Sequence, residues 1–173
     1  MMGSCSCGRD YHKGQLLCSC GKFIGSLILP TLEQYLGCIS AEKVFSLLTE
    51  MINPKNKHRF RGRKTLIQVG EQWYKIKLRK ELEVFRRNPK CATCPRSGVQ
   101  FLLFTRVSAQ YSKHFLDKHL NIQLVSSDLM MMNIDHIVPK SKGGSNELDN
   151  YQTMCFVCNT GKADFLPDTE LVK

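Results

Sequence analysis

The residues best suited to carry out chemistry lie between positions 132 and 162 of this 173-residue chain. Asp135 and His136 end an apolar run, and the pair Gly143-Gly144 follows shortly after them. A histidine can take a proton from water near neutral pH, and carboxylate oxygens are preferred ligands of hard divalent cations. The pattern therefore favours a site that binds a cation and activates a water molecule for attack.

Two Cys-x-x-Cys pairs accompany this motif: Cys91 with Cys94, and Cys155 with Cys158. Cysteines three positions apart are typical of half of a tetrahedral zinc site, so the two pairs together predict one zinc site with four cysteine ligands. A structural zinc ion of this kind stabilises a small core. The alternative is that the four cysteines are free and buried.

A second cysteine pattern lies near the start of the chain, where Cys5, Cys7, Cys18 and Cys20 form two Cys-x-Cys pairs. Four thiolates in two close pairs can hold a second zinc ion, although one intervening residue is fewer than structural zinc sites usually have. The alternative is a flexible terminus with free thiols. A zinc content of two ions per chain, against one, distinguishes these interpretations.

The ordered set of motifs resembles the HNH nuclease family, and in particular its zinc-stapled ββα-metal members. The residues that carry the resemblance are Cys91-x-x-Cys94, Asp135-His136-Ile137-Val138-Pro139, Gly143-Gly144, Asn150 and Cys155-x-x-Cys158-Asn159-x-x-Lys162. The resemblance covers roughly residues 79–165 and does not extend to residues 1–78. Asn159 departs from the family pattern, which usually has a histidine at this position.

This resemblance implies an α+β fold with a ββα-metal nuclease core and a role for each motif residue. Asp135 and Asn159 are expected to hold one catalytic divalent cation, and His136 is expected to act as the general base. Asn150 is expected to brace the loop and orient the histidine. Lys162, one helical turn after Asn159, is placed to touch a phosphate. Because both cation ligands offer oxygen, the site should favour Mg²⁺ or Mn²⁺ over Zn²⁺.

The activity that the resemblance implies is metal-dependent cleavage of DNA, leaving 5′-phosphate and 3′-hydroxyl ends. Free-standing nucleases of this size suggest a phage or homing-type setting. Two other functions stay open on the sequence alone. One is a zinc-containing DNA-binding or regulatory protein whose nuclease-like core is inactive. The other is an RNase or a toxin nuclease.

Positive charge is concentrated in one part of the chain. The net charge is +10, and residues 54–96 hold 14 Lys and Arg against 3 Glu, a net of +11. Such segregation predicts a polyanionic partner, because contacts with phosphates release counterions and strengthen binding. The residues expected to bind nucleic acid are Lys55, Lys57, Arg59, Arg61, Arg63, Lys64, Lys75, Lys77 and Lys162.

Three regions are predicted along the chain. Residues 1–53 form an N-terminal region with the Cys-x-Cys pairs and helical structure over 31–53. Residues 54–78 form a basic arm and a β-hairpin with strands at 66–69 and 73–78, which supply DNA binding. The alternative for the hairpin is a plain surface element without a DNA contact. Residues 79–173 form the nuclease core, with an insertion at about 99–128.

Within the core, the pattern predicts helices over 79–87, 108–119 and 156–165 and strands over 99–107, 129–137 and 151–154. The last two strands and the last helix give the order β-β-α. His136 is expected to point to the face of its strand opposite to Asp135, because successive side chains alternate.

The remaining composition sets limits on location. The chain is 42% hydrophobic and 23% charged, and no apolar run approaches the ~18 residues of a membrane span. We find no secretory signal pattern, and the nine cysteines fit metal binding in a reducing compartment better than disulfides. We therefore expect a cytoplasmic protein that acts on DNA, without a membrane partner, either alone or as a homodimer.

The oxygen ligands give a first testable prediction. EDTA should abolish cleavage of DNA, and added Mg²⁺ should restore it, because both expected ligands of the catalytic cation are hard oxygen donors. Cleavage is measured on plasmid DNA with each cation added separately. Highest activity in Zn²⁺ alone would contradict the ligand argument.

Overall fold

The structure, a computed structural model, describes residues 2–4, 6–12, 15, 17, 32–51, 64–106 and 119–162. It mixes helices and strands, which confirms the α+β class. The elements are β1 (Met2–Ser4), β2 (Asp10–His12), β3 (Leu32–Ser40), α1 (Ala41–Met51), β4 (Lys64–Val69), β5 (Gln72–Lys77), α2 (Lys80–Arg87), β6 (Gly98–Arg106), β7 (His119–Ser126), β8 (Met132–His136), β9 (Tyr151–Cys155) and α3 (Phe156–Lys162). Over these residues, every helix is too short or too polar to cross a membrane.

A five-stranded sheet in the order β3-β6-β7-β5-β4 forms the larger part of the described fold. β5 and β7 run parallel, and the other neighbours run antiparallel. In the central part of β6, Phe101, Leu102, Leu103 and Phe104 are each at most 1% exposed. Because alternate side chains of a strand point to opposite faces, β6 is covered on both sides of the sheet. The sheet therefore draws strands from all three predicted regions, including the stretch predicted as an insertion.

The prediction of helical structure throughout residues 31–53 is wrong in its first half. Leu32–Ser40 is strand β3, paired antiparallel with β6, and only Ala41–Met51 is helical. A few apolar residues at helical spacing favoured a helix here. Hydrogen bonding to the second edge of β6 instead holds this segment as a strand. A register shift between Tyr35 and Gly37 accommodates Gly37, whose φ of 130° favours glycine. Helix α1 begins after Ser40, whose Oγ accepts from the Lys43 amide at 3.3 Å and so caps the first turn.

Other predicted elements agree with the structure where it describes them. The hairpin is formed by β4 and β5, and the helix over 79–87 is α2, with Leu82 and Phe85 buried. The helix predicted over 108–119 lies largely outside the described residues, and its last residue, His119, instead begins β7.

The residues expected to do chemistry lie on a separate two-stranded hairpin, β8–β9, followed directly by α3. Its antiparallel register pairs Asp135 with Gln152 and His136 with Tyr151. Met132 and Met154 from the hairpin belong to the same buried core as Phe85 of α2. Met132 is paired with Cys155 and Met154 with Asn133, so the hairpin is attached to the rest of the fold through side chains on both of its faces.

Helix α2 is held against this hairpin by polar contacts as well. Thr153 Oγ1 of β9 donates to the Asn88 carbonyl at 2.6 Å. Glu83 of α2 is 6% exposed and accepts from Arg86 at 2.8 Å and from Arg87 at 3.2 Å. Burial opposes ionisation of Glu83, but the two guanidinium groups hold its pKa below the ordinary value. Arg87 also pairs with Asp149 at 2.9 Å, so the same network reaches the loop before β9.

Candidate functional site

The structure brings together the four cysteines of the two Cys-x-x-Cys pairs. The Sγ atoms of Cys91, Cys94, Cys155 and Cys158 all lie within 4.8 Å of one another, and those of Cys94 and Cys155 are 3.7 Å apart. A tetrahedral zinc ion with bonds of about 2.3 Å requires sulfur atoms about 3.8 Å apart. The cluster therefore has the size and the donor atoms of a zinc site with four thiolate ligands.

Three parts of the fold supply these thiols. Cys91 and Cys94 lie in a tight turn between α2 and β6, closed by the Cys91 amide donating to the Arg96 carbonyl at 2.8 Å. Cys155 ends β9, and Cys158 lies in α3. The Cys155 amide donates to Cys91 Sγ at 3.3 Å, a contact that satisfies a backbone donor and favours a negatively charged sulfur.

The electrostatics of the cluster call for a cation. Burial and the neighbouring sulfur atoms raise the pKa of Cys158. The pKa of Cys155 is also raised, chiefly by burial. Burial also opposes ionisation of Cys94, but hydrogen bonds from the Arg96 backbone and from neighbouring thiols lower its pKa to about 7. Four crowded thiolates are thus stable together only beside a positive charge. The Arg96 guanidinium supplies part of this positive charge. Its Nη1 atom lies 3.8 Å from Cys94 Sγ, and its Nε atom lies 2.9 Å from Asp128 Oδ2.

Asp135 and His136 contact different groups, as expected for consecutive residues of a regular strand. The Asp135 side chain contacts Lys162 of α3 and Gln152 of β9. The His136 ring contacts Asn146 of the loop and the ring of Tyr151. The carboxylate and the imidazole therefore have separate sets of neighbours around the end of β8.

The Asp135 carboxylate and two backbone carbonyls form a cluster of oxygens around a positive charge. The Lys162 ammonium lies 2.5 Å from Asp135 Oδ2, 2.5 Å from the His136 carbonyl and 3.4 Å from the Ile137 carbonyl. Both side chains are largely buried, at 12% exposed for Lys162 and 14% for Asp135. Gln152 donates to the same carboxylate oxygen at 3.0 Å. This arrangement of hard donors suits a cation.

Asn159 lies on α3, half-buried, three residues before Lys162. Residues three apart on a helix are neighbours on one face, so Asn159 is adjacent on α3 to the residue that contacts Asp135. Its amide oxygen is a further hard donor for a cation.

The Asn150 side chain makes three hydrogen bonds to the backbone of the loop between β8 and β9. Its Oδ1 accepts from the Val138 amide at 2.9 Å, and its Nδ2 donates to the carbonyls of Val138 at 3.1 Å and Ser145 at 2.8 Å. One side chain thus joins the two ends of the loop that carries Gly143 and Gly144. The Ile137 amide also donates to the Asn150 carbonyl at 2.9 Å, which continues the pairing one step beyond the strands.

The His136 ring is surrounded by residues that the sequence did not indicate. Its Nε2 lies 3.2 Å from Asn146 Oδ1, and its centroid lies 4.4 Å from that of Tyr151. Tyr151 is 8% exposed, and Lys80 of α2 lies over its ring at 4.0 Å from the centroid. The pairing of β8 with β9 places Tyr151 opposite His136. The sequence would have indicated this contact if the register of the two strands had been predicted.

The predicted nucleic-acid-binding residues are only partly described. Lys64, Lys75 and Lys77 are exposed on one face of the β4–β5 hairpin, where Lys64 lies opposite Lys77. Lys55, Lys57, Arg59, Arg61 and Arg63 lie outside the described residues.

The same hairpin face also carries Leu66, 52% exposed, and Trp73, 63% exposed. The sequence reading did not select Trp73, although its alternation with the two lysines that follow is a signal for a shared face. We refer to the exposed side chains of Lys64, Leu66, Gln68, Trp73, Lys75 and Lys77 as the hairpin lysine face.

The predicted second zinc site is also mostly outside the described residues. Cys5, Cys18 and Cys20 are not described, whereas Cys7 is described and exposed. The second site therefore stays a prediction.

Comparison with known proteins identifies part of the chain. A family model described as HNH endonuclease matches residues 117–165. The match confirms the resemblance and includes Asp135, His136, Asn150 and Asn159, while Cys91 and Cys94 lie before it. No curated protein and no solved structure shows significant similarity to the chain.

The loop geometry gives a prediction for Gly144. A Cβ atom added at Gly144 would lie 1.8 Å from the Val138 carbonyl oxygen and 2.9 Å from Asn150 Nδ2. Gly144→Ala should therefore displace the loop and lower the free energy of unfolding by about 2 kcal/mol or more. Denaturant unfolding measures the loss, and amide exchange should become faster at Ile137 and Val138, whose amides are bonded to Asn150.

Gly161→Ala is the matched control. Gly161 lies in α3 with open space around its added Cβ, so this substitution should leave unfolding unchanged or stabilise the helix by up to about 1 kcal/mol. Equal effects of the two substitutions would show that the contact with Val138 is unimportant.

The thiol cluster gives a second prediction. Cys91→Ser should lower the zinc content of the purified protein by one ion per chain and unfold the core, because three thiolates do not complete a structural site. Cys38→Ser, at an exposed cysteine outside the cluster, should change neither quantity. Zinc is measured by elemental analysis and folding by circular dichroism; full zinc content in Cys91→Ser would exclude this cysteine as a ligand.

Proposed function

We propose that this chain, whose residues 117–165 belong to the HNH endonuclease family, is a metal-dependent endonuclease that cleaves DNA phosphodiester bonds. The family match supports a nuclease-type activity. The observation that carries the specific proposal is that, at the end of β8, a cluster of oxygens around a cationic group lies next in sequence to a histidine whose ring contacts Asn146. Hydrolysis of a phosphodiester needs both a cation and a base.

His136 is proposed as the general base. Its ring is fixed on one side by Asn146 and Tyr151 and is half-exposed, so a water molecule can reach the ring nitrogen that these neighbours do not engage. Transfer of a proton from that water to the imidazole generates the nucleophile that attacks phosphorus. Asn150 contributes by fixing the loop on which Asn146 lies.

Asp135 and Asn159 are proposed to hold a catalytic Mg²⁺ or Mn²⁺ ion. These oxygens suit a hard cation, because the Asp135 carboxylate and two backbone carbonyls already contact the Lys162 ammonium. A bound divalent cation would supply charge neutralisation at the phosphate and stabilise the leaving oxygen. Lys162 is proposed to contact a DNA phosphate when it does not pair with Asp135.

The hairpin β8–β9 and helix α3 are proposed to form the ββα-metal motif, with structural zinc at the four cysteines. This proposal rests on the order of the elements and on the spacing of the Sγ atoms. Zinc at this position would tie the motif to the turn after α2.

The hairpin lysine face is proposed as part of the DNA-binding surface. Its three lysines attract phosphates, and Trp73 offers an exposed ring on which a base can stack. Residues two apart on a strand are spaced about 6.6 Å, so Trp73, Lys75 and Lys77 form a row along β5. The buried Ile67, Tyr74 and Ile76 on the opposite face keep this row rigid.

Cleavage of plasmid DNA by the wild type and by His136→Ala tests the activity. We expect the wild type to convert supercoiled plasmid to nicked or linear forms in Mg²⁺ or Mn²⁺, and His136→Ala to lose at least about a hundredfold in rate. Gly161→Ala should cleave like the wild type. Circular dichroism and zinc content should be equal in all three proteins, so that a loss of cleavage reports chemistry.

The outcome also separates the rival functions. A DNA-binding protein with an inactive core would bind the plasmid without cleaving it in either cation. A nuclease specific for RNA would degrade RNA in the same buffers and leave the plasmid intact.

The hairpin lysine face gives a prediction for binding. Trp73 is the only tryptophan of the chain, so quenching of its fluorescence should report the binding of single-stranded DNA directly. Trp73→Ala should weaken binding about fivefold or more with an unchanged salt dependence. Lys75→Gln should weaken binding and also reduce the slope of log affinity against log salt by about 0.7.

Glu71→Gln, in the turn of the same hairpin, is the control and should not weaken binding. Unchanged fluorescence on saturation with DNA would place the contact elsewhere.

A further inference from the structure

A line of hydrogen bonds runs from helix α2 to the ring of His136. The Lys80 ammonium donates to the Tyr151 hydroxyl, and that hydroxyl donates to Asn146 Oδ1 at 3.1 Å. His136 Nε2 lies 3.2 Å from the same oxygen. Lys80 is the first residue of α2 and lies outside the residues that match the family model.

The chemistry of Lys80 gives this line a direction. An ammonium group can only donate, so the Tyr151 oxygen accepts from it, and the single hydroxyl hydrogen of Tyr151 is directed to Asn146. Asn146 therefore presents its oxygen, which accepts and cannot donate. His136 Nε2 must then carry the hydrogen of that contact, which leaves Nδ1 of the neutral ring without one.

Packing fixes the ring in the same orientation. Tyr151 is 8% exposed and lies directly opposite His136 in the β8–β9 register, with the two rings 4.4 Å apart and inclined by 47°. The Lys80 ammonium lies 4.0 Å from the centre of the Tyr151 ring, so a cation–π contact adds to the hydrogen bond. The phenol thus has a hydrogen-bonding and a packing reason to keep one position.

We propose that Lys80 and Tyr151 are positioning residues that set the tautomer of His136, so that Nδ1 is the nitrogen that accepts the proton from water. The inference rests on the proposed nuclease function for its catalytic meaning, although the tautomer itself is a property of the folded chain. It assigns to α2 a part in the reaction, through Tyr151 and Asn146.

The tautomer is measured by long-range proton–nitrogen NMR of protein labelled with ¹⁵N-histidine, with the zinc retained and the ring neutral. His136 is assigned by the signal that disappears in His136→Ala. We expect the wild type to show hydrogen on Nε2. Tyr151→Phe keeps the ring but loses the hydroxyl, and Lys80→Met loses the donor, so both should populate hydrogen on Nδ1.

Lys80→Arg should restore the wild-type signal, because a guanidinium group is also a donor only. Hydrogen on Nδ1 in the wild type would overturn the inference. An unchanged tautomer in both Tyr151→Phe and Lys80→Met would also overturn it.

Kinetics supply the second arm. Tyr151→Phe and Lys80→Met should lower kcat about three- to tenfold with little change in KM, because each removes one hydrogen bond that orients the base. Lys80→Arg should retain kcat. Arg79→Gln removes a positive charge next to Lys80 and should leave kcat unchanged; an equal fall in Arg79→Gln would attribute the effect to charge and overturn the assignment.

The two proposals fail separately. If the wild type cleaves no DNA, the nuclease function is wrong, and the NMR measurement alone decides whether Lys80 and Tyr151 set the tautomer. If cleavage depends on His136 but the tautomer is unaffected by either variant, the function stands and the positioning role does not.

Discussion

The convergence of four thiols is the constraint on which the candidate site depends. Strands β8 and β9 form a sheet of only two strands, and such a hairpin is marginally stable by itself. Cys155 ends β9 and Cys158 lies in α3, whereas Cys91 and Cys94 lie about sixty residues earlier, between α2 and β6. Joining these segments at one point fixes both the hairpin and the helix relative to the main sheet. The positions of Asp135, His136 and Lys162 follow from that attachment.

Given a fixed hairpin, the alternation of side chains along β8 separates two kinds of chemistry. The Asp135 carboxylate contacts Lys162 of α3 and Gln152 of β9, whereas the His136 ring contacts Asn146 of the loop and Tyr151. The proposed cation ligand and the proposed general base therefore have different neighbours, although they are consecutive in sequence. Asn150 preserves this arrangement by joining both ends of the loop.

Local patterns predicted the parts of the molecule that local chemistry determines: the β4–β5 hairpin, helix α2 and the Cys-x-x-Cys pairs. Strand β3 was missed because its identity depends on pairing with β6, which lies far later in the sequence. The site shows the same division. Its motif residues follow from spacing and resemblance, but Asn146, Tyr151 and Lys80 become visible only when strand register and the packing of α2 are known. Tyr151 has a role because it lies opposite His136 and beneath Lys80.

The boundary of the family match is therefore not a boundary of the folded site. Residues 117–165 contain Asp135, His136 and two of the four cysteines, but the other two cysteines and the whole of α2 precede them. Helix α2 contributes Leu82 and Phe85 to the core that also holds Met132 and Met154 of the hairpin. Its Arg87 reaches Asp149, and the residue after it, Asn88, accepts from Thr153. A segment limited to the matched residues would carry the proposed reacting groups without the helix and the two thiols that hold them in place. The turn after α2 leads directly into β6, the strand of the main sheet that is buried on both faces. The candidate site is therefore connected, through this turn, to the core of the main sheet.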